Sequence, residues 1–288
     1  QLARNLRSGR TMTIGVVVPD IANPFFARFL QEIEAPLRDR EHALIIGDSR
    51  EQIEIEAQLL RNMKERQVDG LIVAPVGESH PALEDAAADD LPMVMFDRLA
   101  ETANPVFQIS ADHRNDARKA TEYLISEGHR TILCLRGNPE SKADRDRVAG
   151  YFEALTQHQL PEDAGLLIGS SYEKTASRLA VSEFFAGSGK ATACVSLGGQ
   201  NTLGLLEACR EQSLVIPSDL SVVAFDDQPW ATLIDPPLTT LAQPISEMAR
   251  AAASAILEQL GESKPEPGLQ VFQSELIARQ SVITLSPN

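Results

Sequence analysis

The apolar positions of this chain follow two periods in alternation, one typical of buried strands and one typical of amphipathic helices. Residues Thr13–Val18 form a continuous apolar run, which is typical of a parallel strand buried on both faces. The segment after it starts at Pro24, a residue suited to a first helical turn, with Asn23 as a suitable cap. Apolar residues then recur every four positions, at Phe25, Phe29, Ile33 and Leu37.

The same cycle repeats through most of the chain. Further strands are predicted over Ala43–Gly47, Gly70–Ala74, Met93–Phe96, Thr131–Leu135, Leu166–Ile168, Thr192–Ser196 and Ser221–Phe225. The helices between them are predicted over Glu51–Gln67, Pro81–Ala88, Asn115–Ser126, Asp144–His158, Lys174–Phe185 and Thr202–Glu211. Short strands alternating with helices predict βαβ units with parallel sheets, and two such series predict an α/β protein of two doubly wound lobes.

Polar and aromatic residues directly follow three of the predicted strands. These strand ends are Pro19–Phe26, Asp97–Arg98 and Asp226–Trp230. Ligands of open α/β sheets bind outside the carboxyl ends of the strands, so these segments are the first candidates for a binding site.

Composition narrows the classes of function. The 288 residues are 43% hydrophobic and 23% charged, as in ordinary globular proteins, and no apolar run approaches the roughly 20 residues of a membrane helix. The net charge of −15 predicts that phosphate backbones repel the body of the chain. Cys134 and Cys194 lie in apolar runs, where we expect reduced, buried thiols and a cytosolic compartment.

Sequence motifs for catalysis, metals and cofactors are missing. The segment Gly187–Lys190 resembles the end of a phosphate loop, but Phe184 and Ala191 occupy the positions of its first glycine and its hydroxyl residue, so a surface turn is predicted. A dinucleotide fingerprint, a nucleophile elbow and a His-Glu-x-x-His motif are also absent. We therefore expect a ligand sensor without cofactor or metal rather than an enzyme.

Several separate motifs, in order and in spacing, resemble one protein family. They are Thr13–Phe26, Gln67–Ile72, Phe96–Arg98, Glu127–Ile132, Arg145–Tyr151, Ile216–Asp227 and Pro236–Thr240. Through these motifs, which are spread along the chain, essentially the whole chain resembles the regulatory core of the lactose/galactose repressor (LacI/GalR) family of bacterial transcription factors. The resemblance implies a periplasmic-binding-protein-like fold of type I, with a ligand cleft between two lobes.

The resemblance also gives a meaning to the first residues. The chain begins at Gln1 with a segment of charge +3, and residues 1–11 resemble the hinge that follows the family's DNA-binding headpiece. By position Leu6 is the leucine that such hinges wedge into the minor groove. The resemblance implies a cytoplasmic homodimer that binds operator DNA through this hinge and a headpiece missing here, whereas this fragment alone is not expected to bind the operator.

Lobe boundaries and function follow from the same resemblance. The N-terminal lobe is expected over residues 12–111 plus 243–272, and the C-terminal lobe over 112–242 plus 273–288. The expected function is sensing of a small carbohydrate (a sugar, sugar acid or sugar phosphate) and control of operator binding. The alternative is a periplasmic sugar-binding protein of a transporter, which would have the same fold.

Three ligand-binding positions are expected on the first helix and its cap. Phe25 fits the inward stripe of the helix and is either a core residue or a ring packed on the ligand, whereas family position favours Phe26 for that contact. Asn23 either caps the helix or reaches the ligand.

Four more ligand-binding positions are expected at the other strand ends and in the motif Asp144–Arg147. Asp97 and Asp226 match acids that accept ligand hydroxyls, since a carboxylate is an acceptor only. Arg145 aligns as the cleft arginine, with Arg147 on a different helix face. Trp230 either stacks on a sugar or packs in the protein. Closure of the lobes on a ligand held by Asp97, Arg145 and Asp226 is expected to move the hinge segments.

One position departs from the family pattern. Family members often carry Asn-Asp after the strand Thr192–Ser196, and both side chains contact a sugar. Gly198 and Gly199 stand there in this chain. Glycine has no side chain to donate or accept, so either the ligand differs, leaving room for a sugar acid or sugar phosphate, or backbone amides bind it.

Overall fold

The computed structural model describes residues 10–77, 79–161, 165–187, 189–261 and 266–286. The chain divides into two compact units. Unit 1 comprises Gln1–Ser110, Glu140–Lys142 and Pro244–Phe272, and unit 2 comprises Ala111–Pro139, Ala143–Gln243 and Gln273–Asn288. The predicted hinge leucine, Leu6, lies outside the described residues.

Unit 1 alternates strands and helices from its first described strand. Its strands are β1 Thr13–Val18, β2 Ala43–Asp48, β3 Gly70–Val73, β4 Met93–Phe96, β5 Phe107–Ala111 and β11 Leu269–Phe272. Its helices are α1 Pro24–Arg38, α2 Ile53–Glu65, α3 Pro81–Ala88 and α8 Ile245–Gln259.

The strands of unit 1 form one sheet in the order β11-β5-β4-β3-β1-β2. The pairs among β1 to β5 are parallel, with Val16 opposite Ile46 of β2 and Ile72 of β3. Apolar residues of α2 and α3, including Leu60 and Leu83, pack with Val17 and other strand residues in one core cluster. Burial of β1, β3 and β4 between layers explains why these strands read as continuous apolar runs.

Unit 2 repeats this architecture. Its strands are β6 Ile132–Leu135, β7 Gly165–Ile168, β8 Ala193–Ser196, β9 Ser221–Phe225, β10 Thr239–Ala242 and β12 Glu275–Ile277. Its helices are α4 His113–Ser126, α5 Lys142–Gln157, α6 Lys174–Ala186 and α7 Gly199–Glu211, with a short 3-10 turn at Pro229–Thr232.

The sheet of unit 2 has the order β12-β10-β9-β8-β6-β7 and is parallel except for the pair β10–β12. Alternate residues of one strand enter different clusters: Val223 and Phe225 pack with α4 and α5, whereas Val222 and Ala224 pack with α6 and α7. The period of two along the strand therefore feeds a core on each face of the sheet.

The predicted α/β fold with two doubly wound units is confirmed. The stripe predicted for α1 is buried, and the Asn23 side chain accepts a hydrogen bond from the Phe25 N–H at 3.0 Å. Cys134, Cys194 and Cys209 are free, buried thiols. The pattern gave no prediction for β5, β10, β11, β12 or α8. Among the described residues, no helix is long and apolar enough to cross a membrane.

Helices α4 and α5 approach each other closely at Gly150. A Cβ atom on Gly150 would lie 1.9 Å from the backbone oxygen of Arg114, a distance that only a shift of helix against helix relieves. At Gly268, in contrast, a Cβ atom would meet nothing within 4 Å.

Gly150→Ala is therefore expected to destabilise the protein by about 3 kcal/mol, the upper range for overpacking. Urea unfolding of the whole chain, followed by circular dichroism, measures the loss. Gly268→Ala is the control and is expected to change the free energy of unfolding by less than about 0.5 kcal/mol. Equal stability of the two variants would contradict the close contact.

Candidate functional site

The carboxyl end of β4 in unit 1 places a carboxylate and a guanidinium side by side in the sequence. Asp97 has a positive φ of 62° and is only 4% exposed. Its backbone is fixed on both sides, because its N–H donates to Ile109 O at 2.8 Å and its carbonyl accepts from Ser110 Oγ at 2.9 Å. A left-handed backbone for a non-glycine residue is uncommon and recurs at binding sites.

Arg98 is also buried, and its charge is matched within unit 1. Its two terminal nitrogens donate to the two carboxylate oxygens of Glu51 at 2.7 and 2.6 Å. Its guanidinium carbon lies 5.9 Å from the centre of the Phe26 ring. The predicted Phe26 thus lies beside a charge-paired arginine of the Asp97–Arg98 strand end.

The other predicted residues of unit 1 have clear packing roles. Phe25 is 3% exposed and lies against Phe96, with ring centres 5.9 Å apart, and edge-on to Phe26 at 5.0 Å. Asn23 is the cap of α1. These contacts explain why Asn23 and Phe25 occur where they do without a ligand, and the ligand contacts predicted for them stay predictions.

Asp226 ends β9 in unit 2 in the same way that Asp97 ends β4. It has a φ of 68° and is 8% exposed. Its Oδ1 accepts a hydrogen bond from Gln243 Nε2 at 2.7 Å, and its N–H donates to Leu241 O at 3.0 Å. Burial raises the pKa of Asp226, whereas the charge of Arg147, the Gln243 amide and the Gly199 N–H lower it.

Arg147 is the arginine whose charge acts on Asp226. It is 5% exposed, and its guanidinium carbon lies 4.7 Å from the centre of the Phe225 ring. Nη1 donates to Leu197 O at 2.7 Å, and Nε and Nη2 lie 3.3 and 3.2 Å from His113 Nδ1. Because a guanidinium can only donate, His113 Nδ1 must be the acceptor, which makes this imidazole neutral.

From the sequence, Arg145 is the expected cleft arginine, and Arg147 is expected on another face of the helix. In the structure Arg145 is half-buried, and its Nη1 donates to the carbonyl of Pro139 at 2.9 Å. Arg147, two residues on, lies on Phe225 and acts on Asp226. The same motif contains both arginines, Arg145 and Arg147. Only their positions around the helix distinguish them.

Trp230 and Asp227 lie in structural settings. Trp230 is half-buried in the 3-10 turn and packs against the apolar cluster that includes Leu205 and Leu238. Asp227 pairs with Arg279 through two contacts of 2.7 and 3.0 Å, which gives it a structural role. The sequence gave no reason to select Gln243, because it lies beyond β10, a strand that the pattern did not predict.

The two units thus define a receptor for a small ligand, of the periplasmic-binding-protein-like class, with polar groups at the carboxyl ends of parallel strands. Residues 121–282 match the family described as "Periplasmic binding protein-like domain". Among the described residues, no cluster of three or more His, Cys, Asp or Glu side chains could hold a metal ion.

Similar proteins give the family. The repressor CytR of Escherichia coli (strain K12) is 30% identical over 99% of this chain and 83% of its own length. The repressor PurR of Vibrio atlanticus is 28% identical over 99% of this chain and 85% of its own length. A LacI family regulator from Enterococcus faecium, solved with bound ribose, has a TM-score of 0.85 and 28% identity over 95% of this chain and all of its own. The chain belongs to the LacI/GalR family of transcriptional regulators.

Asp116 is a buried carboxyl group within range of the charge of Arg147. Asp116 of α4 is fully buried and accepts a hydrogen bond from Ser274 Oγ. Burial raises the pKa of Asp116 to about 6, although the Ser274 hydrogen bond and the charges of Lys119 and Arg147 act in the opposite direction.

This shift predicts how stability depends on pH. Because the pKa of Asp116 is higher in the folded than in the unfolded chain, its contribution to stability is fully present below about pH 4 and falls until about pH 6. Relative to the wild type, Asp116→Asn is expected to gain about 2 kcal/mol between pH 4.5 and pH 7.5. Urea unfolding at both pH values measures it, and a constant difference between the two proteins would contradict the raised pKa.

Proposed function

We propose that this chain is the effector-sensing part of a cytoplasmic transcriptional regulator, and that it binds a small carbohydrate at the strand ends and controls binding of operator DNA. The observation that carries the proposal is the group at the carboxyl end of β9, where Asp226 accepts a hydrogen bond from Gln243 and lies within range of the positive charge of Arg147. A buried carboxylate that is held by donors suits the recognition of hydroxyl groups, since it can accept two of them. The ribose-bound relative from Enterococcus faecium supports a sugar as the ligand.

We further propose that units 1 and 2 are the two lobes of the family's regulatory core and that residues 1–11 are its hinge. Asp97, Phe26 and Arg98 of unit 1 and Arg147, Asp226 and Gln243 of unit 2 are then the main ligand-binding residues. Asn23, Phe25 and Trp230 keep the ligand contacts proposed from the sequence. Arg145, the arginine selected from the sequence, and Arg147 are alternatives for the arginine that contacts the ligand, and the geometry favours Arg147. A transporter protein is not favoured, because the relatives PurR and CytR are repressors, and we propose no catalytic activity.

The two arginines of α5 allow a direct test of this site. Arg147→Lys keeps the charge beside Asp226 but loses the guanidinium fork, so the affinity for a sugar effector is expected to fall about tenfold to a hundredfold. Arg145→Lys makes the same chemical change two residues away. If Arg147 is the arginine that contacts the ligand, the affinity of Arg145→Lys stays within about threefold of that of the wild type.

Titration calorimetry with D-ribose and with any other monosaccharide that raises the melting temperature measures both variants. A loss confined to Arg145→Lys would restore the assignment made from the sequence. Unchanged affinity in both variants would remove this end of α5 from the binding site.

The outer strand of the unit 1 sheet supports the proposed homodimer. β2 is an edge strand, and its Ile46 side chain is 44% exposed. A groove of about 780 Å³ beside it is lined by residues of α1 and β2, including Leu30 and Leu44. His42 in this groove is 9% exposed, and among the described residues neither of its ring nitrogens has a hydrogen-bond partner. A second copy on this edge would cover the apolar side chains and could complete the imidazole's hydrogen bonds.

Ile46→Asp is expected to weaken dimerisation at least tenfold, because it places an uncompensated charge in the proposed interface. Leu269→Asp is the matched control, since Leu269 is 54% exposed on β11, the opposite edge of the same sheet. Sedimentation velocity over a concentration series measures both variants. A wild-type chain that stays monomeric at micromolar concentration would contradict the dimer, and equal weakening by both substitutions would contradict this interface.

A further inference from the structure

The glycine pair after β8 leaves a space that another side chain of unit 2 borders. A Cβ atom on Gly199 would lie 3.2 Å from Nε2 of Gln228 and 3.6 Å from Oδ2 of Asp226. A Cβ atom on Gly198 would lie 2.7 Å from Asn201 Oδ1 and 3.0 Å from the Tyr172 ring. Position 199 therefore faces the carboxylate of the proposed site, and the carboxamide of Gln228 stands where a longer side chain at position 199 would extend.

Gln228 is held in place by its backbone hydrogen bonds. Its N–H donates to Asp226 O at 3.0 Å, and its carbonyl accepts from Ala231 N at 2.8 Å. The residue is 5% exposed, and its Nε2 is the atom nearest to the position of a Cβ on Gly199. A carboxamide both donates and accepts hydrogen bonds, so it can bind a ligand hydroxyl at this position.

Gln243 lies on the other side of Asp226. Its Nε2 donates to Asp226 Oδ1, but its Oε1 is buried with no partner among the described residues. The Asp226 carboxylate thus has a carboxamide on either side, and the Gln243 oxygen is open to a ligand donor. Hydroxyl groups, which both donate and accept, complement such a set.

The charges of this group favour a neutral ligand. Arg147 already donates to Leu197 O and His113 Nδ1, and its positive charge is balanced by that of Asp226. A phosphate or carboxylate placed against Asp226 would bring two negative charges close to Arg147, whose hydrogen bonds are already used. Such a group of charges is unfavourable at low dielectric.

From these contacts we infer that Gln228 determines specificity. Its carboxamide replaces the side chain missing at position 199 and hydrogen-bonds a hydroxyl next to the one accepted by Asp226, on a neutral polyhydroxylated effector. The inference rests on the proposed function. It narrows the ligand to neutral polyhydroxylated compounds and names Gln228 as a residue that recognises them.

The test compares the wild type with Gln228→Met, which has a similar volume and cannot make the amide's hydrogen bonds. The probes are D-ribose and a panel of neutral pentoses and hexoses, with ribose 5-phosphate, gluconate and inorganic phosphate as the charged set. A neutral sugar is expected to bind the wild type, and Gln228→Met is expected to weaken it about tenfold or more. Gln157→Met, at the exposed end of α5, is the matched control and keeps wild-type affinity.

A reciprocal exchange separates recognition from folding. Gly199→Asn alone should lower affinity because the new side chain meets the Gln228 amide, and Gly199→Asn combined with Gln228→Ala should recover at least part of it. Melting temperatures without ligand should stay within roughly 4 °C of the wild type for all these variants.

The outcomes distinguish this inference from the proposed function. Binding of a charged probe alone overturns the inference and leaves a carbohydrate-sensing regulator in place. Wild-type affinity in Gln228→Met, beside a loss in Arg147→Lys, also overturns the inference alone. Failure of every probe to bind the wild type counts against both.

Discussion

The electrostatic attraction between Arg147 and Asp226 is the interaction on which the site of unit 2 depends. Burial acts against a charged carboxylate at the end of β9, and the guanidinium opposes that penalty. The guanidinium is itself positioned by the Phe225 ring, the Leu197 carbonyl and the neutral imidazole of His113. Four segments, β9, α5, the residue after β8 and the start of α4, therefore position these two opposite charges.

That arrangement is possible because parallel strands are covered on both faces. The apolar side chains within β8 and β9 pack into the clusters above and below the sheet, so polar groups that could meet a ligand stand after the last strand position. Asp97 and Asp226 both occupy such a position, and both have a positive φ that turns the chain out of the strand. The same arrangement, an aspartate with a positive φ, therefore follows β4 in unit 1 and β9 in unit 2.

The sequence was sufficient for the elements whose apolar residues follow one clear period. β1, β3, β4 and β9 are continuous apolar runs, and α1 shows its stripe without interruption. β11 was not predictable in the same way, because its four residues are a short run that Gln270 interrupts, with neither a continuous apolar stretch nor a full alternation. Arg145 and Arg147 differ in helix phase by two residues, and the charge-rich run around them gave no apolar marker to set that phase. Gln228 and Gln243 acquire their meaning only from β10 and the turn beside it.

The cysteines of the chain have a consequence for observing its motions. All three lie in unit 2, at Cys134, Cys194 and Cys209, and burial raises the pKa of each thiol. A thiolate forms at neutral pH only when the surrounding core opens, so the rate of alkylation reports the opening of unit 2 while unit 1 contributes no signal. The native sequence thus contains its own chemical probe of one half of the molecule.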